Sequence, residues 1–252
     1  MYDVVQEEPS EDFKRAWQAA GRHLRPLGGD SFSWLRANLN PPMAEHLSFR
    51  VGNQIFFVFV EAAEFQYERT NDLFMEVSRE ANAVPCIMPM TERLTSYEPS
   101  LSGWGLIHAE TKIPVNPPDL VSDELVEMTD WELHDFAVQV VRSKLSGDGR
   151  SVFSAQSSRD IDPSIWYEDG GDSYWVVVRE ARHPDVQAAM PGNIDDIADG
   201  CSRMGRAGFF ASVVVANYDD PFDPEAKANG NFLPLYRGHA MSVKYEGLQK
   251  ID

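Results

Sequence analysis

The chain has 252 residues, of which 43% are hydrophobic and 25% are charged, a balance typical of a globular protein and too apolar for a disordered one. Its 22 Lys and Arg residues against 40 Asp and Glu residues give a formal net charge of −18. This charge repels phosphate backbones and disfavours non-specific nucleic-acid binding, whereas it suits a protein that meets cations, metal ions or basic protein partners.

The first residues, MYDVVQEEPSEDF, contain neither the basic nor the apolar segment of a secretory signal. The longest apolar run, IFFVFVEAA, is too short to cross a bilayer. Cys86 and Cys201 lie far apart in the sequence, and two buried thiols are favoured over a disulfide. These features predict a cytoplasmic protein with no membrane segment.

A helix is predicted from Ser10 onward, because apolar residues repeat there at helical spacing. The repeating residues are Phe13, Trp17, Ala20 and Leu24. A short second helix is predicted over residues 32–37. The stretch HLSFRVGNQIFFVFVE predicts a hairpin that turns at Gly52-Asn53. An amphipathic helix in TNDLFMEVSREANA and strands in VPCIMPM and WGLIHAETKIPV complete the first half.

The acidic, Pro-containing segment NPPDLVSDE, residues 116–124, predicts a linker between a first module at residues 10–115 and a second module at residues 125–252. The stretch TDWELHDFAVQVVRSKL predicts the main helix of the second module, with Thr129 and Glu132 as a capping box. Strands are predicted in RSVFSAQ, SIWYED, YWVVVRE, FFASVVVAN and RGHAMSVKYEGL, and a further helix in NIDDIADGCSRMG.

The two halves share one order of predicted elements. Aligning GNQIFFVFVEA with GDSYWVVVREA matches Glu61 to Glu180, and Asn40-Pro41 then stands where Asp162-Pro163 stands. We therefore predict an α+β protein of two similar modules, a degenerate internal duplication, in which each module is a mostly antiparallel or mixed sheet with helices packed on it. Coincidence is the alternative, because β-hairpins that end in Val-Glu are common.

One pattern in the second half could supply metal-ligating and catalytic residues. Asp160 or Asp162 precedes a hairpin, and Glu180 and Arg182 follow two residues apart, so that both side chains leave one face of a strand. This arrangement, over roughly residues 129–217, resembles the core of the PD-(D/E)xK nuclease-like family. In that family two carboxylates hold a divalent cation that activates water, and the lysine orients the nucleophile. The resemblance implies Asp162 and Glu180 as ligands of Mg²⁺ or Mn²⁺, with Arg182 beside the phosphate.

The pattern also departs from that family. Arg182 stands in place of the lysine, and a guanidinium is a poor general base. In the first half Asn40 replaces the aspartate, and no cation follows Glu61. The structural alternative makes Glu180 a solvated residue that caps a buried strand and Asp162 a turn residue before proline. His134 is expected to be a hydrogen-bonded helix residue rather than a catalytic one.

The same element order, together with the negative charge, resembles the small acidic type III secretion chaperones. These have a helix, three antiparallel strands, a helix, two strands and usually a final helix, and they act as dimers, which a tandem duplication would imitate. We predict a non-catalytic cytoplasmic protein without a cofactor that binds a protein partner through a degenerate nuclease-like scaffold. A metal-dependent nuclease and a chaperone-like holder of a basic or secreted protein are the two alternatives.

Overall fold

The chain forms two α+β units, residues 1–124 and residues 125–252, each built on one mixed sheet. A computed structural model describes residues 10–37, 46–63, 71–94, 96–220, 225–230 and 232–251. Among these residues no helix is both long enough and apolar enough to span a membrane. The predicted fold class, α+β with two similar sheet modules, is confirmed.

The first unit places its helices on a seven-stranded sheet. Its helices are α1 (Glu11–Leu24) and α2 (Asn71–Glu80). Its strands are β1 (Phe32–Arg36), β2 (Leu47–Val51), β3 (Gln54–Ala62), β4 (Val84–Arg93), β5 (Ser96–Pro99), β6 (Leu106–His108) and β7 (Pro114–Val115). The strand order is β1-β2-β3-β4-β6-β7, with β5 paired to β4; β3 and β4 are parallel, and the other neighbours are antiparallel.

Helix α1 follows the predicted apolar repeat. The Ser10 Oγ accepts a hydrogen bond from the backbone N–H of Phe13 at 3.1 Å and so caps the helix. The four repeating residues, Phe13, Trp17, Ala20 and Leu24, are all buried. They pack with alternate residues of β3, such as Val58, while the residues between them, such as Phe59, face α2. Strand β3 is therefore apolar on both faces because helices cover both.

The helix predicted over residues 32–37 is wrong. Phe32–Arg36 form strand β1, and Trp34 stands opposite Phe49 of β2. The Phe32 and Phe49 rings stack with centroids 4.8 Å apart, and the Trp34 ring meets Phe49 edge-on at 6.0 Å. These cross-strand aromatic contacts stabilise the extended backbone, and no local pattern in six residues could reveal them.

The predicted linker lies at the end of the first unit. Residues 117–120 form a 3₁₀ turn, and the Asn53 side chain donates hydrogen bonds to Ser122 Oγ at 3.1 Å and to the Glu124 carbonyl at 2.8 Å. Gly52 has a φ of +57°, and Val121 lies so close to it that an added Cβ would meet the valine side chain at 2.5 Å. This segment thus packs on the turn between β2 and β3.

The second unit repeats the design with a six-stranded sheet. Its helices are α3 (Asp130–Gly147), α4 (Ile194–Cys201) and α5 (Ala226–Asn229). Its strands are β8 (Ser151–Ala155), β9 (Ile165–Asp169), β10 (Asp172–Arg182), β11 (Ala207–Asn217), β12 (Met241–Tyr245) and β13 (Gln249–Lys250). The order is β12-β11-β10-β9-β8, with β13 paired to β11; β10 and β11 are parallel, and the other neighbours are antiparallel.

The two sheets agree in connectivity, as a duplication predicts. In each unit three antiparallel strands lead through a helix into a parallel fourth strand, and an antiparallel strand then pairs beside the fourth. The predicted capping box of α3 is present as well: Glu132 N–H binds the Thr129 hydroxyl at 3.2 Å, and Thr129 N–H binds the Glu132 carboxylate at 2.9 Å.

The predicted match of Glu61 to Glu180 is wrong by one residue. The first residues after the two hairpin turns are Gln54 and Asp172, which are 172 − 54 = 118 residues apart. With that offset Glu61 corresponds to Arg179, and Glu180 corresponds to Ala62. A shift of one residue moves a strand side chain to the opposite face of its sheet. Asn40-Pro41, the predicted counterpart of Asp162-Pro163, lies outside the described residues.

Candidate functional site

Strand β10 carries two of the three predicted site residues, Glu180 and Arg182. Its even-numbered residues Val176 and Val178 pack in the core beneath α3, and its odd-numbered residues Trp175 and Val177 pack in the smaller core beneath α4. Because strand side chains alternate, Glu180 and Arg182 lie on the α3 face of the sheet, and Arg179 lies on the α4 face. The two-residue spacing of Glu180 and Arg182 thus places them on one face, as predicted.

The Glu180 carboxylate is held by two basic groups. Its side chain is only 4% exposed, so the expectation of a solvated residue is wrong. One oxygen is 2.6 Å from His134 Nδ1 and the other 3.0 Å from Arg159 Nε. An ionised carboxylate only accepts hydrogen bonds, so Nδ1 of the fully buried His134 is the donor. His134 is therefore the hydrogen-bonded helix residue that its position on α3 suggests, and it joins the helix to the end of β10.

Asp162 lies on the other face of the sheet. Its two oxygens accept hydrogen bonds from both terminal nitrogens of Arg179, at 3.0 and 2.5 Å, and both side chains are largely buried. Burial, with a smaller contribution from the negative charge of Asp162, raises the pKa of the Cys201 thiol in α4 to about 11. These neighbours belong to the α4 face. The sheet separates Asp162 from Glu180, and the structure does not bring the two proposed metal ligands together.

Arg182 meets the beginning of α3. Its Nη2 donates to the Met128 carbonyl at 2.6 Å and lies 3.3 Å from the Asp130 carboxylate. Asp130 is also 3.5 Å from Arg159. Arg182 thus links the chain just before α3 to the carboxyl end of β10. This is a positioning role, whereas the sequence suggested that Arg182 lies beside a phosphate.

Two further polar links hold α3, and neither was predicted from the sequence. Glu132 receives hydrogen bonds from Arg237 Nε at 2.9 Å and Nη2 at 2.8 Å, with both side chains buried. Asp135 accepts a hydrogen bond from the buried Ser157 hydroxyl at 2.5 Å. The available signal was the run of polar side chains at 132, 134 and 135 on a helix that packs against a sheet, because such groups need partners when buried.

This arrangement links helix α3 to the sheet and pairs its carboxylates with basic groups. Asp162, Glu180 and Glu132 each have a basic partner in contact with the carboxylate. Across the described ranges, no group of three His, Cys, Asp or Glu side chains converges on a point that could hold a metal ion. Cys86 and Cys201 are both buried free thiols.

Comparison with known proteins gives one match. The model of a family described as a domain of unknown function (DUF8840) matches residues 131–251, just under half of the chain. The match runs from the first turn of α3 to the end of β13 and so covers the candidate site. No curated protein and no solved structure matches the chain.

Proposed function

We propose that the protein is a non-catalytic cytoplasmic binding protein whose second unit is a nuclease-like scaffold without a working metal centre. The observation that carries this proposal is the pairing of the two key carboxylates with basic side chains: Asp162 with Arg179, and Glu180 with His134 and Arg159. Arginine and histidine here occupy the contacts that a divalent cation would need. The buried free thiols support a reducing compartment.

Energetics favour the paired carboxylates over a metal site. A cation at Glu180 would have to displace a contact to His134, whose side chain is 0% exposed. Separating a buried pair costs about 3–5 kcal/mol when one partner is left without compensation. Asp162 would have to leave a bidentate guanidinium, whose charge-assisted hydrogen bonds are stronger than neutral ones. Each site would then supply a single carboxylate, on its own face of the sheet.

The charge of the chain supports a basic partner. Residues 1–124 carry 10 Lys and Arg against 19 Asp and Glu, and residues 125–252 carry 12 against 21, so each half has a formal charge of −9. The acidic character is therefore shared by both units and is not the property of one tail. An acidic surface accelerates the encounter with a basic protein and disfavours acidic competitors.

Thermal unfolding with divalent metal tests this proposal. We expect the melting temperature to be the same with and without Mn²⁺ or Mg²⁺, because no two of the predicted ligands share a coordination point. We expect no cleavage of single-stranded or double-stranded DNA under the same conditions. Glu180→Gln should lower the melting temperature regardless of metal, since it removes the charge that pairs with His134 and Arg159.

The opposite result has a clear form. A rise in melting temperature on addition of Mn²⁺ that both Asp162→Ala and Glu180→Ala abolish would establish a metal site and favour the nuclease. Lys144→Ala, which removes an exposed ion pair with Asp148 on α3, is the matched control and should leave any metal effect unchanged.

A chaperone-like holder is a second candidate, favoured by the order of elements. Both units begin with a helix, three antiparallel strands and a second helix, followed by further strands, as do the type III secretion chaperones. A holder should suppress the aggregation of a basic test protein, such as reduced lysozyme, at near-equimolar amounts, as measured by light scattering. If aggregation is unchanged at a several-fold excess of the protein, the chaperone-like proposal is wrong. A binding protein for folded or extended partners is then the better proposal.

A further inference from the structure

Strand β8 presents an open edge with little protection. It lies at the end of the second unit's sheet and pairs with β9; among the residues that the structure describes, no strand pairs with its other side. Its sequence, SVFSA, contains neither a charged residue nor proline, whereas β12 at the other edge carries Lys244. Natural sheets commonly use lysine or proline to prevent pairing at an edge, so the two edges differ in their capacity to accept a further strand.

Phe153 lies on the α4 face, at a shift in the register of β8. The register of β8 with β9 shifts between Val152 and Ser154. Val152 and Ala155 pack beneath α3, while the Phe153 ring lies 6.4 Å from the Trp166 ring. Phe153 is 45% exposed. One large apolar side chain of the edge strand therefore lies away from the main core, on the face opposite to Val152.

The α4 face leaves this region partly uncovered. Helix α4 packs over residues of β10 and β11, among them Val177 and Val214. Trp166 of β9 packs against the same cluster and is only half-buried. Phe153 and Trp166 form what we call the β8 apolar strip, beside the open edge.

The charge beside the strip selects the kind of segment that could bind. Glu168 is two residues after Trp166 on β9, so it lies on the same face. It is exposed, and within the described ranges it has no ion-pair partner. A second copy of this chain would bring the same acidic surface and a further charge of −18 to the contact. Like charges on both sides oppose association, which favours a basic segment of another protein.

We propose that strand β8 binds an extended, basic segment of a partner protein as an added strand. The backbone of the segment would pair with the open edge, an apolar side chain would rest on the β8 apolar strip, and a Lys or Arg would meet Glu168. Edge pairing supplies affinity through backbone hydrogen bonds, and the alternate side chains supply specificity. This inference rests on the proposed binding function and assigns it a surface.

Synthetic peptides test the surface directly. The probes are the octapeptide KTVTVTVK, its acidic counterpart ETVTVTVE, and a form of the first that is N-methylated at alternate residues. We expect the basic peptide to bind the full chain with a Kd of about 1 mM or below, and the N-methylated form to bind more weakly because it cannot donate backbone hydrogen bonds. Backbone amide shifts in NMR spectra would report the contact.

Two variants and a matched control locate the binding. Phe153→Ser should weaken binding of the basic peptide by about tenfold, the usual effect of truncating an aromatic anchor. Glu168→Lys should reverse the preference between the basic and acidic peptides. Val243→Ser changes an apolar residue of similar exposure, 39%, on the other edge strand, and it should leave binding unchanged.

Three results would overturn the inference: no binding of the basic peptide at several millimolar, equal binding by Phe153→Ser, or equal binding of the N-methylated form. If the proposed function is wrong, the result is different: Mn²⁺ stabilises the protein and DNA is cleaved, and both effects depend on Asp162 and Glu180. Glu180 lies on the opposite face of the sheet from the β8 apolar strip, so variants of Glu180 and of Phe153 report separately.

Discussion

Replacing Arg237 with methionine is expected to lower the free energy of unfolding of the second unit by about 3–5 kcal/mol. Arg237 and Glu132 form a two-point ion pair at 2.9 and 2.8 Å, with side chains 1% and 6% exposed. Methionine fills similar space without charge, so the Glu132 carboxylate would stay buried without its cation. Chemical denaturation followed by circular dichroism measures the loss, and hydrogen exchange at α3 localises it.

A second substitution separates the lost charge pair from the lost packing. The double variant Glu132→Gln with Arg237→Met removes both charges, and glutamine can still accept the hydrogen bond from Thr129 N–H that closes the capping box. We expect it to recover most of the stability, because paired removal of buried charges is often nearly neutral. Lys144→Ala, at an exposed pair on the same helix, should cost less than about 1 kcal/mol. An equal cost for Arg237→Met and Lys144→Ala would contradict the prediction.

Helix α3 explains why these pairs matter for the proposed function. Four polar links join its first turns to other parts of the second unit, through Glu132, His134, Asp135 and the Asp130 region. Such groups would serve chemistry if they were free. Because each of them is paired with a residue elsewhere in the unit, these links fix the position of the helix, and the proposed binding surface lies on the other face of the sheet, at the β8 edge.

Much of the fold follows from local pattern in the sequence. The apolar repeat of α1, the capping box at Thr129 and Glu132 and the hairpin at Gly52-Asn53 each depend on residues only a few positions apart. Helical spacing and turn residues act at that range, so the sequence predicts them. The position of Glu180 and Arg182 on the same face of the strand also follows from their spacing alone.

The side-chain contacts in the candidate site depend on residues that are farther apart in the sequence. The partner of Asp162 is Arg179, the residue beside the proposed ligand Glu180, and only the register of the hairpin decides which of the two neighbours faces Asp162. Glu132 is paired with a residue 105 positions away. The predicted match of Glu61 to Glu180 is also wrong because of an offset of one residue. Local composition cannot set a register, because strands slide by single residues without changing their sequence pattern.

The centre of the first unit's core provides the second large expected effect. Trp17→Ala should lower the free energy of unfolding by about 3–5 kcal/mol, the usual cost of removing a buried aromatic ring. The indole is 0% exposed and belongs to the cluster that α1 forms with β2 and β3. Arg22→Ala, on the exposed side of the same helix, is the control and should change stability by no more than about 0.5 kcal/mol.

Trp17→Phe tests the prediction further, because two contributions to the free energy of unfolding oppose each other. Phenylalanine leaves a small cavity, which costs free energy in proportion to its volume. The indole Nε1 has no hydrogen-bond partner among the described residues, and an unsatisfied buried donor costs about 1–3 kcal/mol, which the substitution removes. We therefore expect Trp17→Phe to lose much less stability than Trp17→Ala in denaturant unfolding. A loss as large as that of the alanine variant would show that the indole nitrogen, and not only the ring volume, stabilises this core.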